Sequence, residues 1–72
     1  MSPPIKYTKH AKYRMKIREE GEWMVEETIF NPDKTYIGSN GEINALKQFG
    51  KRNLRVIYLS LPEEIRILTV IE

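Results

Sequence analysis

Apolar residues recur along this chain with two different periods, and the change falls at Asn31-Pro32. Before that point the spacing is helical. Thr8 is suited to cap a first helix running to about Glu20, and Gly21 is a natural terminator. At about 100° per residue, Lys9, Lys12, Lys16, Glu19 and Glu20 share one arc expected to face water. Tyr7, Ala11, Tyr13, Met15 and Ile17 fall around the opposite arc, expected to face a core. A second helix is expected from Glu22 to Phe30, with acids in its first turn where the helix dipole favours them. Asn31-Pro32 ends it, because the residue before proline is pushed out of the α region.

Beyond Asp33 the period becomes that of strands. Four are expected: Lys34 to Gly38, Ile43 to Phe49, Leu54 to Leu61 and Ile65 to Ile71. Asn40-Gly41 reads as a type I′ hairpin turn, in which both central residues need positive φ. Gly50-Lys51-Arg52-Asn53 is a polar turn, and Pro62-Glu63-Glu64 breaks the last pair. Ile5-Lys6-Tyr7 reads either as a short strand or as a packed arm, after a loose lead-in over Met1 to Pro4. The expectation is one α+β domain over residues 1–72, with two N-terminal helices on a four-stranded antiparallel meander.

The last two strands are apolar on both sides. Leu54, Val56 and Tyr58 share one face, while Ile57, Leu59 and Leu61 share the other with Arg55. Ile65, Ile67 and Ile71 likewise oppose Leu68 and Val70. Two short helices can cover only one face of a sheet, so apolar surface should stay open for a partner or a second copy.

Size and composition narrow the chemistry. At 72 residues with no cysteine and one histidine, the chain has neither disulfide staples nor the ligands of a usual zinc site. No apolar run approaches the roughly 20 residues of a membrane span, and Met1-Ser2-Pro3-Pro4 lacks a signal-peptide core, so a cytoplasmic protein without metal or cofactor is expected.

Charge adds more than its total suggests. Residues 1–18 carry +6, residues 19–42 carry −6, residues 43–61 carry +4 and the remainder −2, within a net charge of +2. Two basic blocks could form one positive surface if folding joins them. His10, Arg14 and Arg18, spaced four apart, form a stripe inside the apolar arc of the first helix. Lys47 and Arg55 interrupt apolar strand faces in the same way. One explanation is pairing of Arg14 with Glu26 or Glu27, with His10 as a hydrogen-bonded boundary residue. The other is an anion cleft, in which arginine forks hold phosphate and His10 exchanges a proton. Tyr36 and Tyr58 could stack a base, and Lys51 and Arg52, otherwise solubilising, would extend the basic surface.

Thr8-Lys9-His10-Ala11-x-x-Arg14-Met15-x-x-Arg18, then Trp23-Met24-Val25-x-x-x-Ile29-x-Asn31-Pro32, then Leu54-Arg55-Val56-Ile57-Tyr58 resembles a family of short microbial proteins. That family opens with the same His-Ala-x-x-Arg helix and is related to the RelE/ParE and BrnT toxins. The resemblance implies a compact helix-helix-sheet toxin fold, cleavage of ribosome-bound messenger RNA, and an acidic antitoxin as partner. Arg55 matches the strand arginine that contacts the scissile phosphate in RelE-type toxins, and Lys47 lies roughly where their catalytic lysines lie. His10 and Arg14 match only the nearer family. The further arginine and tyrosine of RelE toxins have no counterpart in Val70-Ile71-Glu72, and ParE-like relatives are not nucleases.

Three functions follow as expectations. The first is an RNA endonuclease, with His10 as general acid or base and Arg55 and Lys47 as catalytic partners. Arg14, Arg18, Lys51, Arg52 and Tyr58 would then bind the nucleic acid. The second is a non-catalytic module binding nucleic acid or an antitoxin through the same basic cleft. The third is a homodimer formed through the open sheet face.

Overall fold

The computed structural model describes residues 3–72. Its elements are β1 (Ile5–Tyr7), α1 (Lys9–Ile17), α2 (Glu22–Phe30), β2 (Lys34–Ile37), β3 (Ile43–Phe49), β4 (Arg52–Ser60) and β5 (Ile65–Ile71). The α+β expectation holds, but the sheet is not a four-stranded antiparallel meander. It has five strands in the order β1-β5-β4-β3-β2, and β1 pairs with β5 in parallel. The short Ile5-Lys6-Tyr7 segment is therefore a strand, and it caps the sheet edge that the meander would have left open. Pro4 belongs to this edge, since its carbonyl accepts from the Ile65 amide at 2.9 Å. The rest of the expected lead-in, Met1 and Ser2, lies outside the described residues.

Thr8 caps α1 as its side chain suits it to do. Its Oγ1 accepts from the Ala11 amide at 3.1 Å and donates to the Leu68 carbonyl at 2.9 Å, while its own amide donates to Ile67. Leu68 is the extra residue of a β-bulge, because Ile57 pairs with Thr69 and Tyr58 with Ile67. A bulge reverses the alternation of side chains beyond it. Ile65, Ile67 and Val70 thus all enter the core, and Ile71 turns to the other face. The expected grouping of Ile71 with Ile65 and Ile67 is corrected by that one residue.

The first helix is shorter than expected. It ends at Ile17, and Glu19, at φ 55, takes the left-handed position that a glycine usually holds. The Glu20 amide donates to the Met15 carbonyl and the Glu19 amide to Lys16, which together make a Schellman motif. Gly21 is freed to become the N-cap of α2. Helix α1 buries only Ala11 and Met15; Tyr13 and Ile17, expected inside, are 64% and 56% exposed. The sheet meets a narrower stripe than the wheel suggested.

The first two of the three hairpin turns also differ from expectation. At Asn40-Gly41 only Gly41 has positive φ, 84°, so the turn is not type I′. The Gly38 amide donates to Glu42 and the Gly41 amide to Gly38, the pattern of a three-residue loop with a glycine bulge. The next turn is just Gly50-Lys51, with Phe49 opposite Arg52, so β4 begins at Arg52 instead of Leu54.

Both helices lie over one face of the sheet. The core there joins Ala11 and Met15 of α1, Met24, Val25 and Ile29 of α2, and Leu54, Val56 and Tyr58 of β4. Buried Thr28 satisfies its hydroxyl on the Met24 carbonyl at 2.7 Å. At the rim Trp23 meets Phe49 edge-to-face, with ring centres 5.7 Å apart. The opposite face carries no helix.

Candidate binding site on the open sheet face

Antiparallel partners point to the same side of a sheet, so the register reads out the open face row by row. One row runs Lys34, Leu46, Arg55, Ile71 across β2, β3, β4 and β5. The next runs Tyr36, Asn44, Ile57, Thr69. Gln48 and Asn53 lie beyond the first row, while Leu59, Arg66 and Lys6 form another at the β1 side. These strand positions include Lys6, Lys34, Arg55 and Arg66 and no carboxylate at all. A hollow of about 500 Å³ opens around Lys34, Leu46, Gln48, Arg55 and Ile71.

Arg55 lines this hollow, partly buried, with Leu46 and Ile71 as its cross-strand neighbours. Among the described residues it takes part in no ion pair. The two acids at the edge of the hollow are already engaged. Asp33 accepts from the Gln48 amide at 2.8 Å and lies 3.9 Å from the Lys47 ammonium. Glu72 is held by Arg52 and Arg18. Arg66 is paired with Glu64 at 3.0 Å, which leaves Arg55 with exposed Lys34 beside it, and Lys6 at the β1 edge, as the cations of this face open to an incoming anion.

Lys47 belongs elsewhere. It stands opposite Leu54, on the helix-covered face, and its Nζ donates to the Asn31 carbonyl at 2.7 Å. Asn31 is the C-cap of α2, so the ammonium ties the negative end of that helix to β3. Lys47 borders the same hollow as Arg55, but its ammonium turns to the helix-covered side, where it is a structural fastener.

The other expected site residues are likewise dispersed. His10 is exposed on α1, above the helix-covered face. Arg14 is partly buried on the same helix, its Nε without a partner; it makes no ion pair with Glu26 or Glu27. Tyr58, 8% exposed, is a core residue on the helix side and cannot stack a base, and burial pushes its phenol up. Lys51 is exposed in the turn.

Arg18 and Arg52 are absorbed into a cluster with Glu20 and Glu72. Arg52 donates to the Arg18 carbonyl at 2.9 Å, to Glu20 at 3.2 Å and to Glu72 at 2.6 Å. The Glu20 side chain has no exposure, and burial, reinforced by the neighbouring Glu72 carboxylate, raises its carboxyl above the usual range. Hydrogen bonding from Arg52 lowers Glu72. The cluster joins the end of α1 to the start of β4 and the end of β5. Its arginines are already paired with carboxylates.

The signal that reasoning from the chain missed was register. Arg55 was visible as a charge among apolar strand residues, but its separation from Lys47 depends on which face each strand turns outward. Among the described residues no group of His, Asp and Glu could hold a metal ion, and no helix is long and apolar enough to cross a membrane. No protein-family model, no curated protein and no solved structure matches this chain.

Proposed function

We propose that this protein is a non-catalytic binding module whose open sheet face takes an acidic, partly apolar segment of another protein. The observation that carries this reading is Arg55, partly buried in the row Lys34-Leu46-Arg55-Ile71 on a face whose strands hold no carboxylate. A guanidinium there offers a two-pronged donor to an incoming Asp or Glu, with Leu46, Ile57 and Ile71 beside it for apolar side chains. The acidic antitoxin implied by the sequence resemblance is a partner of this chemistry.

The lining favours protein over nucleic acid. Tyr36 is the single aromatic residue in the rows of this face, and it stands on the edge strand, whereas base-stacking sheets present aromatics at their centre. Cleavage of RNA by His10 with Arg55 and Lys47 has less support, because His10 lies on α1 and the Lys47 ammonium, although Lys47 borders the Arg55 hollow, is bonded to the Asn31 carbonyl.

The test uses a blocked peptide of alternating Leu and Glu, its Leu-Lys counterpart, and a single-stranded RNA oligonucleotide. The acidic peptide should shift the backbone amide signals of Leu46, Arg55, Ile57 and Ile71. Arg55→Gln should weaken it about tenfold, the loss of roughly one charge-assisted hydrogen bond. Equal binding of both peptides would sink the proposal. RNA that is cut by the wild type and spared by Arg55→Gln would replace it with the catalytic reading.

A further inference from the structure

The two edges of the sheet are treated differently. Strand β1 is three residues long and follows Pro3-Pro4, which have no N–H to offer a further strand. Strand β2, at the other edge, has no proline, no bulge and a single charge, Lys34. All four of its residues are exposed, Ile37 at 74% and Tyr36 at 48%. Natural sheets seldom leave such an edge bare.

The direction of its free backbone groups can be read from the register. The Gly38 amide donates to Glu42 of the facing strand segment at 2.7 Å, and Tyr36 stands opposite Asn44 in the same ladder. Inward bonding alternates along an antiparallel pair, so Lys34 and Tyr36 bond to β3 while Thr35 and Ile37 aim their N–H and C=O groups outward. A strand docking here must pair with Thr35 and Ile37.

We infer that β2 pairs with β2 of a second copy of this chain, antiparallel and centred on Tyr36, joining two sheets into one of ten strands. The edge is complementary to itself in this register. Thr35 of each copy faces Ile37 of the other, which engages both outward pairs in four hydrogen bonds. Tyr36 faces Tyr36 of the second copy as the closer, non-bonded pair on the open face. Each Lys34 falls opposite Gly38 of the other copy instead of another lysine, so the one charge on the edge meets no like charge. The helix-covered faces stay on the same side, where the Thr35 methyl of one copy covers exposed Ile37 of the other. The two open faces become continuous, and the second copy's Tyr36 borders the row that contains Asn44 and Ile57.

The chain has no cysteine, so a single introduced thiol reports its own position. Tyr36→Cys places two thiols on residues about 4.5 Å apart between Cα atoms, within disulfide reach. Lys34→Cys, equally exposed on the same face, places them four residues apart along the strands, about 13 Å, which is out of reach. Under mild oxidation the Tyr36→Cys chain should form a covalent dimer at least about tenfold faster than Lys34→Cys, read on a non-reducing gel. Equal rates, or a faster Lys34→Cys, overturn this register. In sedimentation the wild type should rise from 8.5 kDa toward twice that mass with concentration, and folded Ile37→Lys should not. A wild type that stays at 8.5 kDa throughout, or an Ile37→Lys chain that dimerises as well, overturns the pairing itself.

Discussion

Lys47 and Arg55 stand on adjacent antiparallel strands with their side chains on opposite faces of the sheet. Lys47 shares its face with Leu54 and the helices, whereas Arg55 shares the open face with Leu46 and Ile71. The two cations therefore do different work, and substitution should separate their effects. Lys47→Met keeps the stem but removes the bond to the Asn31 carbonyl at the end of α2. It should cost about 1–2 kcal/mol, the worth of a hydrogen bond from a charged donor combined with the helix-end dipole. Arg55→Gln breaks no ion pair and gives up only part of the packing of its stem, so it should cost less, under about 1 kcal/mol. Urea unfolding of the two variants checks this, and a larger loss for Arg55→Gln would contradict the assignment.

Glu19 holds the left-handed position of the Schellman motif with φ 55. A side chain there crowds its own carbonyl, at a cost of about 1 kcal/mol that glycine avoids. Glu19→Gly should therefore stabilise the protein by roughly that amount, although glycine in most helical settings destabilises. The midpoint of thermal unfolding is the readout. A fall in the midpoint would show that the exposed Glu19 side chain contributes something the backbone argument omits.

Tyr7 presents a different kind of strain, a buried hydroxyl with no hydrogen-bond partner. Burial, with Glu22 and Glu26 adding to it, pushes its phenol up to about 12 from 10.0. A raised pKa means that the folded state holds the proton more tightly than the unfolded chain. The corresponding stability is complete below about pH 10 and is lost as pH rises toward about 12. Tyr7→Phe has no proton to lose and leaves no hydroxyl unpaired, so it should be about 1 kcal/mol more stable near neutrality. Its advantage should widen in alkali. Denaturant titrations near about pH 8 and about pH 11 compare the two chains directly. A Phe variant that is weaker at both would mean the hydroxyl is satisfied after all.

What could be read from the chain, and what could not, divides by the distance over which the deciding interaction acts. The Thr8 cap, the Asn31-Pro32 stop and the alternation of Leu54, Val56 and Tyr58 against Arg55, Ile57 and Leu59 are local, and each is realised. They depend on a few neighbouring φ and ψ angles and on the two-residue period of a strand. The break at Pro62-Glu63-Glu64 and the approximate span of β3 belong with them.

The remainder was decided by contacts between residues far apart. Ile5 lies beside Ile65 because a parallel pairing across 60 positions completes the sheet, and nothing within Ile5-Lys6-Tyr7 indicates a parallel partner. The extra residue at Leu68 turns Val70 inward and Ile71 outward, since its carbonyl serves the Thr8 cap of a distant helix. The same long-range register sends Lys47 to the α2 terminus and leaves Arg55 facing an open hollow. Local propensity and period determined by themselves the two helices and strands β2 to β5, to within a few residues at their ends, but not that Ile5–Tyr7 is a strand. Only the assembled sheet decided which side of each strand meets the helices, because a side chain's face is set by the register of its strand against every other.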